Sequence, residues 1–252
     1  MKFKEIYSRI VSLKAYSSSA EVNALFSALV AIVINPTSKE TLSAKKCRCL
    51  QTICSHAEYE LEKYWAKEII SGNKHLVDFP YLKNYRDLTR LEWNALDSCT
   101  DHHHHNVLFI GSGPLPMTAI MLAKEHGVQS TLVDNSAEAA ALSRKLIKTL
   151  GLEHFIKVVK ADGATFKKVE NFNVIFVAAL AGVNAAQKMR VFANIKTNTS
   201  PHCHIIARSS WGKRKFLYAP LPQRVYSLFT PLIEITPYNE IVNSVVILKN
   251  NA

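Results

Sequence analysis

Residues 106–134, NVLFIGSGPLPMTAIMLAKEHGVQSTLVD, constrain this chain more than any other stretch. A short apolar run ends on two glycines, a helical pattern follows and closes on Gly127, and a second apolar run ends on an acid. That order reads as strand, tight turn, helix, strand, and two consecutive strands joined by a helix run parallel. The pattern then repeats. SAEAAALSRKLIKTLG (136–151) opens on Ser136 as an N-cap and closes on Gly151. FIKVVKAD (155–162), NVIFVAAL (173–180), CHIIARSS (203–210) and IVNSVVILK (241–249) are further buried strands. Strands alternating with helices predict an α/β domain with a mostly parallel sheet.

The first hundred residues follow a different pattern. In 21–34 Val22, Leu25, Phe26, Leu29, Val30 and Val33 recur at helical spacing. Residues 39–71 form a long stretch without Gly or Pro, and 86–98 carry Leu88, Leu91 and Leu96 on one stripe. No strand signal stands out. DHHHHN (101–106) reads as the hinge, so the expected domains are 1–104, all helical, and 105–252, Rossmann-like. With 48% apolar residues in 252, a sizeable core is available.

No apolar run reaches the roughly 18 residues that a membrane-spanning helix needs, and the charged start argues against a secretory signal. Five cysteines, Cys47, Cys49, Cys54, Cys99 and Cys203, an odd and clustered set, read as reduced thiols in a cytoplasmic protein. No metal site is expected. Cys47, Cys49, Cys54 and His56 lack paired zinc-ligand spacing, and four adjacent histidines, His102–His105, cannot all converge on one ion.

Ligands in doubly wound folds sit at the carboxyl ends of the strands. The first strand ends in Gly111, Ser112, Gly113 and Pro114, a turn that lets the backbone approach a ligand closely. The second ends at Asp134, placed to accept the hydroxyls of a ribose. Asp162 follows the third strand, in position for an adenine amino group, and Ala179 and Leu180 follow the fourth. The third glycine of a dinucleotide fingerprint is missing, and Pro114 removes a backbone donor at the turn. S-adenosylmethionine, which has no phosphate, is therefore the expected ligand, on a class I methyltransferase-like fold. Common signatures of base methylation after the fourth strand are absent.

VLFIGSGPLPMTAIMLAKEH, preceded by FPYLKNYRDLTRLEW, closely resembles the nicotianamine synthase family. So do SAEVNALFSALV, NVIFVAALAG, ARSSWGKRKFLY and NEIVNSVVILK, in order, over roughly residues 19–249. The resemblance implies transfer of the 3-amino-3-carboxypropyl (aminobutyrate) arm of S-adenosylmethionine to an amine, with release of methylthioadenosine, in metallophore biosynthesis. The acceptor would be another aminobutyrate unit, or histidine for an opine-type metallophore. It also implies that Glu92, in the LE of the motif, is the catalytic base, with Tyr85 beside it orienting substrate and Asn84 a companion. Tyr85 and Glu92 are seven residues apart, two helical turns, and so can share a face. Arg208, Tyr218 and Thr118 are expected to line the acceptor pocket, Arg208 by pairing with a carboxylate. Glu21, Asn23, Glu58 and Asn243 also match family positions. A closed cavity between the two domains is expected.

The formal charge is +11, which raises a rival reading, an S-adenosylmethionine-dependent methyltransferase acting on RNA or on a small molecule. A second rival is a non-catalytic relative that binds an adenosine compound. The basic residues are dispersed, with no block of five or six, and substrates bearing several carboxylates also favour a positive field. The expected partner is a small amino-acid substrate, with no nucleic acid and no membrane, and a homodimer is left open.

Overall fold

The computed structural model describes residues 1–100, 106–182 and 184–251, so the histidine run read as a hinge lies outside it. Four helices come first: α1 (Phe3–Ser12), α2 (Ala20–Ile34), α3 (Ala44–Ile70) and α4 (Leu82–Asp97). The α/β part follows as β1 (Asn106–Ile110), α5 (Met117–His126), β2 (Gln129–Asp134), α6 (Ala137–Thr149), β3 (Ile156–Lys160) and β4 (Val174–Val177). It continues through α7 (Ala185–Asn198), β5 (His204–Ser209), a 3₁₀ turn (Gly212–Phe216), α8 (Val225–Leu228), β6 (Thr230–Ile235) and β7 (Ser244–Lys249).

The strands form one seven-stranded sheet in the order β3-β2-β1-β4-β5-β7-β6. β1 to β5 pair in parallel, and β7 runs antiparallel to both β5 and β6. The strand order reverses between β1 and β4, which puts the ligand crevice at their carboxyl ends. The expected strands are all present. β6 carries no signal in the sequence reading. Its Pro231 sits beside a register shift, and β6 is an edge strand, where a missing N–H is tolerated.

Helix ends follow local chemistry. Ser136 caps α6, accepting from the Ala139 N–H at 3.2 Å. Gly127 closes α5 in the left-handed region. Two expected spans shift. The helix read over 39–71 starts at Ala44, because the Ser43 hydroxyl caps it by accepting from the Lys46 N–H. The helix read over 86–98 starts a turn earlier, at Leu82, straight after the Pro80–Tyr81 turn.

The core has two parts. One joins the sheet to the second half of α3 and to α4, through Trp65, Ala66, Ile69, Leu88 and Leu96. The other joins α1, α2 and the first half of α3 to Phe216 and Leu217. α3 thus spans both, and ion pairs from Arg86 and Arg90 of α4 to Glu125 tie the helices to α5 at 2.9 and 3.1 Å. No described helix is long and apolar enough to cross a membrane.

Candidate active site

A cavity of about 450 Å³ lies between the carboxyl ends of β1, β2, β4 and β5 and the helices α2, α3 and α4. It is not sealed, as the sequence reading expected. Exposed Asn23, His56, Asn135, Asp162 and Glu240 sit on its wall, so it opens to solvent.

The floor is the glycine turn. Gly111 has φ +82°, and a Cβ there would lie 3.0 Å from the Ala181 Cβ of the loop after β4. Gly113 has φ +67°, and a Cβ would lie 2.5 Å from the Glu62 Oε2. Only glycine both adopts that backbone and leaves room for the carboxylate above it. Asp134 accepts the Gly113 N–H at 2.8 Å and the Ser136 N–H at 2.9 Å. It therefore locks the turn to the start of α6 while facing the cavity. Asp162 stands at the rim, with the Ala164 N–H on its Oδ1.

The wall from the helices is acidic and paired with tyrosine. The Tyr85 hydroxyl donates to the Glu62 Oε1 at 3.0 Å. The Tyr218 hydroxyl donates to the Glu58 Oε2 at 2.7 Å. Glu58 and Glu62 keep some accessible surface because they face the cavity, yet protein surrounds them on the other sides. That burial pushes the Glu62 carboxyl well above its ordinary range, and the neighbouring Glu58 and Asp134 charges push it further, against Tyr85 and Arg208. Burial also raises Glu58, opposed by the Tyr218 hydrogen bond, by Arg208 and by Tyr85. Both tyrosines are raised well above their usual value, first by burial and then by the glutamates beside them.

Arg208 of β5 is 8% exposed and lines the same space. Its Nε donates to the Glu92 Oε1 at 2.6 Å and its Nη2 to the Glu92 Oε2 at 2.9 Å. Nη2 also donates to the Thr118 hydroxyl at 2.6 Å. The guanidinium lies over the Phe109 ring. Burial lowers its pKa, but the charge and hydrogen bonds of Glu92 more than offset that and hold the cation.

Glu92, expected from the sequence as the base, is paired with Arg208 behind the cavity wall. It has no exposed surface, both its oxygens are taken by Arg208, and it is not on the cavity wall. Placed so, the carboxylate holds Arg208. Tyr85 and Glu92 do share a face of α4, but Glu92 lies on the buried side of Arg208. Pro114 is likewise buried and off the cavity wall. Gly111, Ser112, Gly113, Asp134, Asp162, Ala179, Leu180, Asn84, Tyr85, Thr118, Arg208 and Tyr218 all line the cavity. Asn84 is partly committed, donating to the Glu240 carbonyl at 2.9 Å.

Glu62 was missed by the sequence reading, and Glu58 was noted only as a matching position. A signal was present: two glutamates four apart on a long helix, Glu58 and Glu62, fall on one face. Glu21 is exposed and pairs with Arg9 at 2.9 Å, away from the cavity. The +11 charge is not gathered here. Among the described lining residues Arg208 is the only Lys or Arg, against the acids Glu58, Glu62, Asp134, Asp162 and Glu240. Among the described residues no cluster of three or more His, Cys, Asp or Glu is arranged for a metal.

The family model described as nicotianamine synthase protein matches residues 1–252. The chain belongs to that family. A nicotianamine synthase of Solanum lycopersicum is 32% identical over 98% of this chain and 82% of its own length. Nicotianamine synthase 3 of Arabidopsis thaliana is 31% identical over the same shares. Among solved structures, MtNAS in complex with MTA and tNA has a TM-score of 0.85 at 25% identity, over 99% of this chain and 97% of that one. A glutamate-to-glutamine mutant of MtNAS in complex with S-adenosylmethionine has a TM-score of 0.84 at 26% identity, over 99% and 96%. An RNA methyltransferase from Salinibacter ruber matches at 0.50 with 12% identity over 66% of this chain, a likeness of fold alone. The class I methyltransferase-like fold with a helical part in front is thereby established.

Proposed function

We propose that this chain moves the 3-amino-3-carboxypropyl arm of S-adenosylmethionine onto an amine and releases methylthioadenosine. The observation that carries this reading is the Glu62–Tyr85 pair directly above the Gly111–Gly113 turn. In this fold that turn cradles the ligand, so a carboxylate over it faces the reacting centre.

The charge of the cavity supports the choice of substrate. Several carboxylates and one neutralised arginine suit a sulfonium and ammonium groups, and repel a pyrophosphate. Asp134 keeps free lone pairs for a ribose after binding two backbone amides. Asp162 at the rim suits the adenine amino group, with Ala179 and Leu180 along its face.

All three carbons on a sulfonium are electrophilic, so the reaction is decided by which carbon faces the nucleophile. An amino-acid amine arrives mostly as ammonium and has no lone pair. Glu62, its proton affinity raised by burial, takes a proton from it, and Tyr85 holds the carboxylate in place. The freed lone pair forms a bond to the arm carbon next to sulfur. The carbon–sulfur bond breaks, its electron pair stays on sulfur, and the thioether leaves as methylthioadenosine. Arg208, fixed by Glu92 and Thr118, presents its remaining Nη1 side for a substrate carboxylate. Metal chelation by the polycarboxylate product would take place away from the enzyme, in metallophore biosynthesis.

Incubation with S-adenosylmethionine, with and without histidine, tests the reading by chromatography of the nucleoside released. Methylthioadenosine is expected, and accumulation of S-adenosylhomocysteine would establish methyl transfer in its place.

A further inference from the structure

A second cavity, of about 460 Å³, shares no lining residue with the active-site cavity. The C-terminal end of α2, the segment 35–42, the 3₁₀ turn with Trp211 before it, and Tyr238 form its wall. Most of that wall is apolar, from Val33, Pro36, Leu42, Trp211 and Phe216.

One cation on the wall has no counter-charge. Arg214 is 5% exposed. Its Nε donates to the Ile241 carbonyl at 3.3 Å and its Nη2 to the Asn239 carbonyl at 2.7 Å. Its Nη1 bonds to no described residue, and no described carboxylate pairs with it. Burial lowers the Arg214 pKa with no acid to raise it, the reverse of Arg208, which Glu92 holds as a cation. Lys213 beside it is committed, donating to the Ser38 carbonyl at 2.6 Å. The acid on the wall, Glu40, is exposed and forms no ion pair with a described residue.

An independent observation points to the same corner. The Trp211 Nε1 is buried and has no hydrogen-bond partner. The Arg214 guanidinium lies 5.2 Å from the Trp211 ring centroid, so the two unused donors stand close together. A buried donor left unpaired costs free energy that an acceptor recovers. The Tyr238 ring meets Trp211 edge-on at 4.7 Å and is still 73% exposed, which leaves aromatic surface open beside those donors.

We propose that this cavity binds a small monocarboxylate with a flat apolar body. One carboxylate oxygen accepts from the Arg214 Nη1 and the other from the Trp211 Nε1, while the body covers Tyr238 and Leu42. A largely apolar wall with a few convergent polar groups is the usual make-up of a small-molecule site. Two cations against one exposed acid suit a single negative charge. The site stands apart from the transfer reaction, since neither Arg214 nor Trp211 lines the active-site cavity.

The test uses the whole chain with fluorobenzoate as the probe, read by fluorine NMR, and fluorobenzamide as its neutral counterpart. Fluorobenzoate should bind at one site per chain, about tenfold or more tightly than fluorobenzamide, the size of one hydrogen bond to a charged group. Saturating S-adenosylmethionine should leave that affinity within about twofold, because the two cavities share no residue. Trp211→Phe keeps an aromatic ring and removes the donor. It should weaken fluorobenzoate by about tenfold and leave S-adenosylmethionine binding, measured by equilibrium dialysis, within about twofold, a readout that general damage would move. Arg214→Lys keeps the charge but loses the second donor arm, and should weaken the probe by at least about tenfold. If that variant does not fold, Trp211→Phe carries the test. Equal binding of fluorobenzoate and fluorobenzamide, an unchanged affinity in Trp211→Phe, displacement of the probe by S-adenosylmethionine, or no binding to the wild type would each overturn the proposal.

Discussion

Glu92 and Glu62 are both cavity-region glutamates, and replacing each by glutamine separates their roles. Glu92→Gln removes the counter-charge of Arg208 while leaving the guanidinium buried. Breaking a buried pair from one side costs about 3–5 kcal/mol. Glu58 and Glu62 share the same space, and the Arg208 charge favours their ionised forms, so they absorb part of the loss. The low end, about 3 kcal/mol, is the expectation. For a chain of this size each kcal/mol moves the melting temperature by about 2–4 °C, which gives a fall of about 6–12 °C. Glu62→Gln acts in reverse. It removes a carboxylate whose charge burial opposes, so the fold is held or gains, while turnover falls by about 10²–10⁴. Thermal melts, S-adenosylmethionine binding and methylthioadenosine release measured on both variants decide the matter. A Glu92→Gln protein that melts within about 2 °C of wild type, loses turnover and binds substrate, beside an active Glu62→Gln, would refute the reasoning and return the base to Glu92.

Glu62 also sets a pH signature. The native state keeps the Glu62 proton to higher pH than the unfolded chain, whose carboxyl titrates near 4.5, so wild type loses stability relative to Glu62→Gln as pH rises from there. Denaturant titrations at pH 4 and pH 7 should show the gap opening at the higher value. Lys188 behaves oppositely in origin: it is buried against the Ala179 carbonyl at 2.7 Å, and burial lowers it to about 8 from 10.5. The unfolded chain binds that proton more tightly, so wild type gains stability relative to Lys188→Met between pH 8 and 10.5, on the same assay. Gly113→Ala places a Cβ 2.5 Å from the Glu62 Oε2 in left-handed backbone; a cost of about 1–2 kcal/mol in stability and a turnover loss of more than tenfold are expected from melts and product release.

The sheet was legible because its strands are continuous apolar runs closed by turn residues, as in β1 and β4, which are buried almost throughout. β6 was not, since its alternation is weak and Pro231 argues against a strand until an edge position excuses it. Within the site, residues at strand ends were legible from position alone: Gly111, Gly113, Asp134 and Asp162 all reach the cavity. The base was not. A glutamate in the middle of a long helix looks the same whether it faces water, a cavity or an arginine. The distinction depends on which side of α3 and α4 turns toward β5, a tertiary fact with no local signature. Glu92 carried the expected motif and faced the buried guanidinium. Glu62 carried no motif and faced the glycine turn.

The Glu92–Arg208 pair explains why the cavity can be acidic at all. An isolated Arg208 would be free to neutralise Glu58 or Glu62 and would favour their ionised forms, lowering their proton affinity. Bidentate capture by Glu92 occupies Nε and Nη2, and Thr118 adds a second bond at Nη2. The cation is thereby held toward β5 beside a carboxylate of opposite sign, and its charge still opposes the upward shift at Glu58 and Glu62. Burial dominates at Glu62 and raises its affinity for a proton, the property that the base proposed here needs. The ion pair two turns along α4 from Tyr85 thus fixes the position of a cation that acts at Glu62, while burial decides the direction of the shift there.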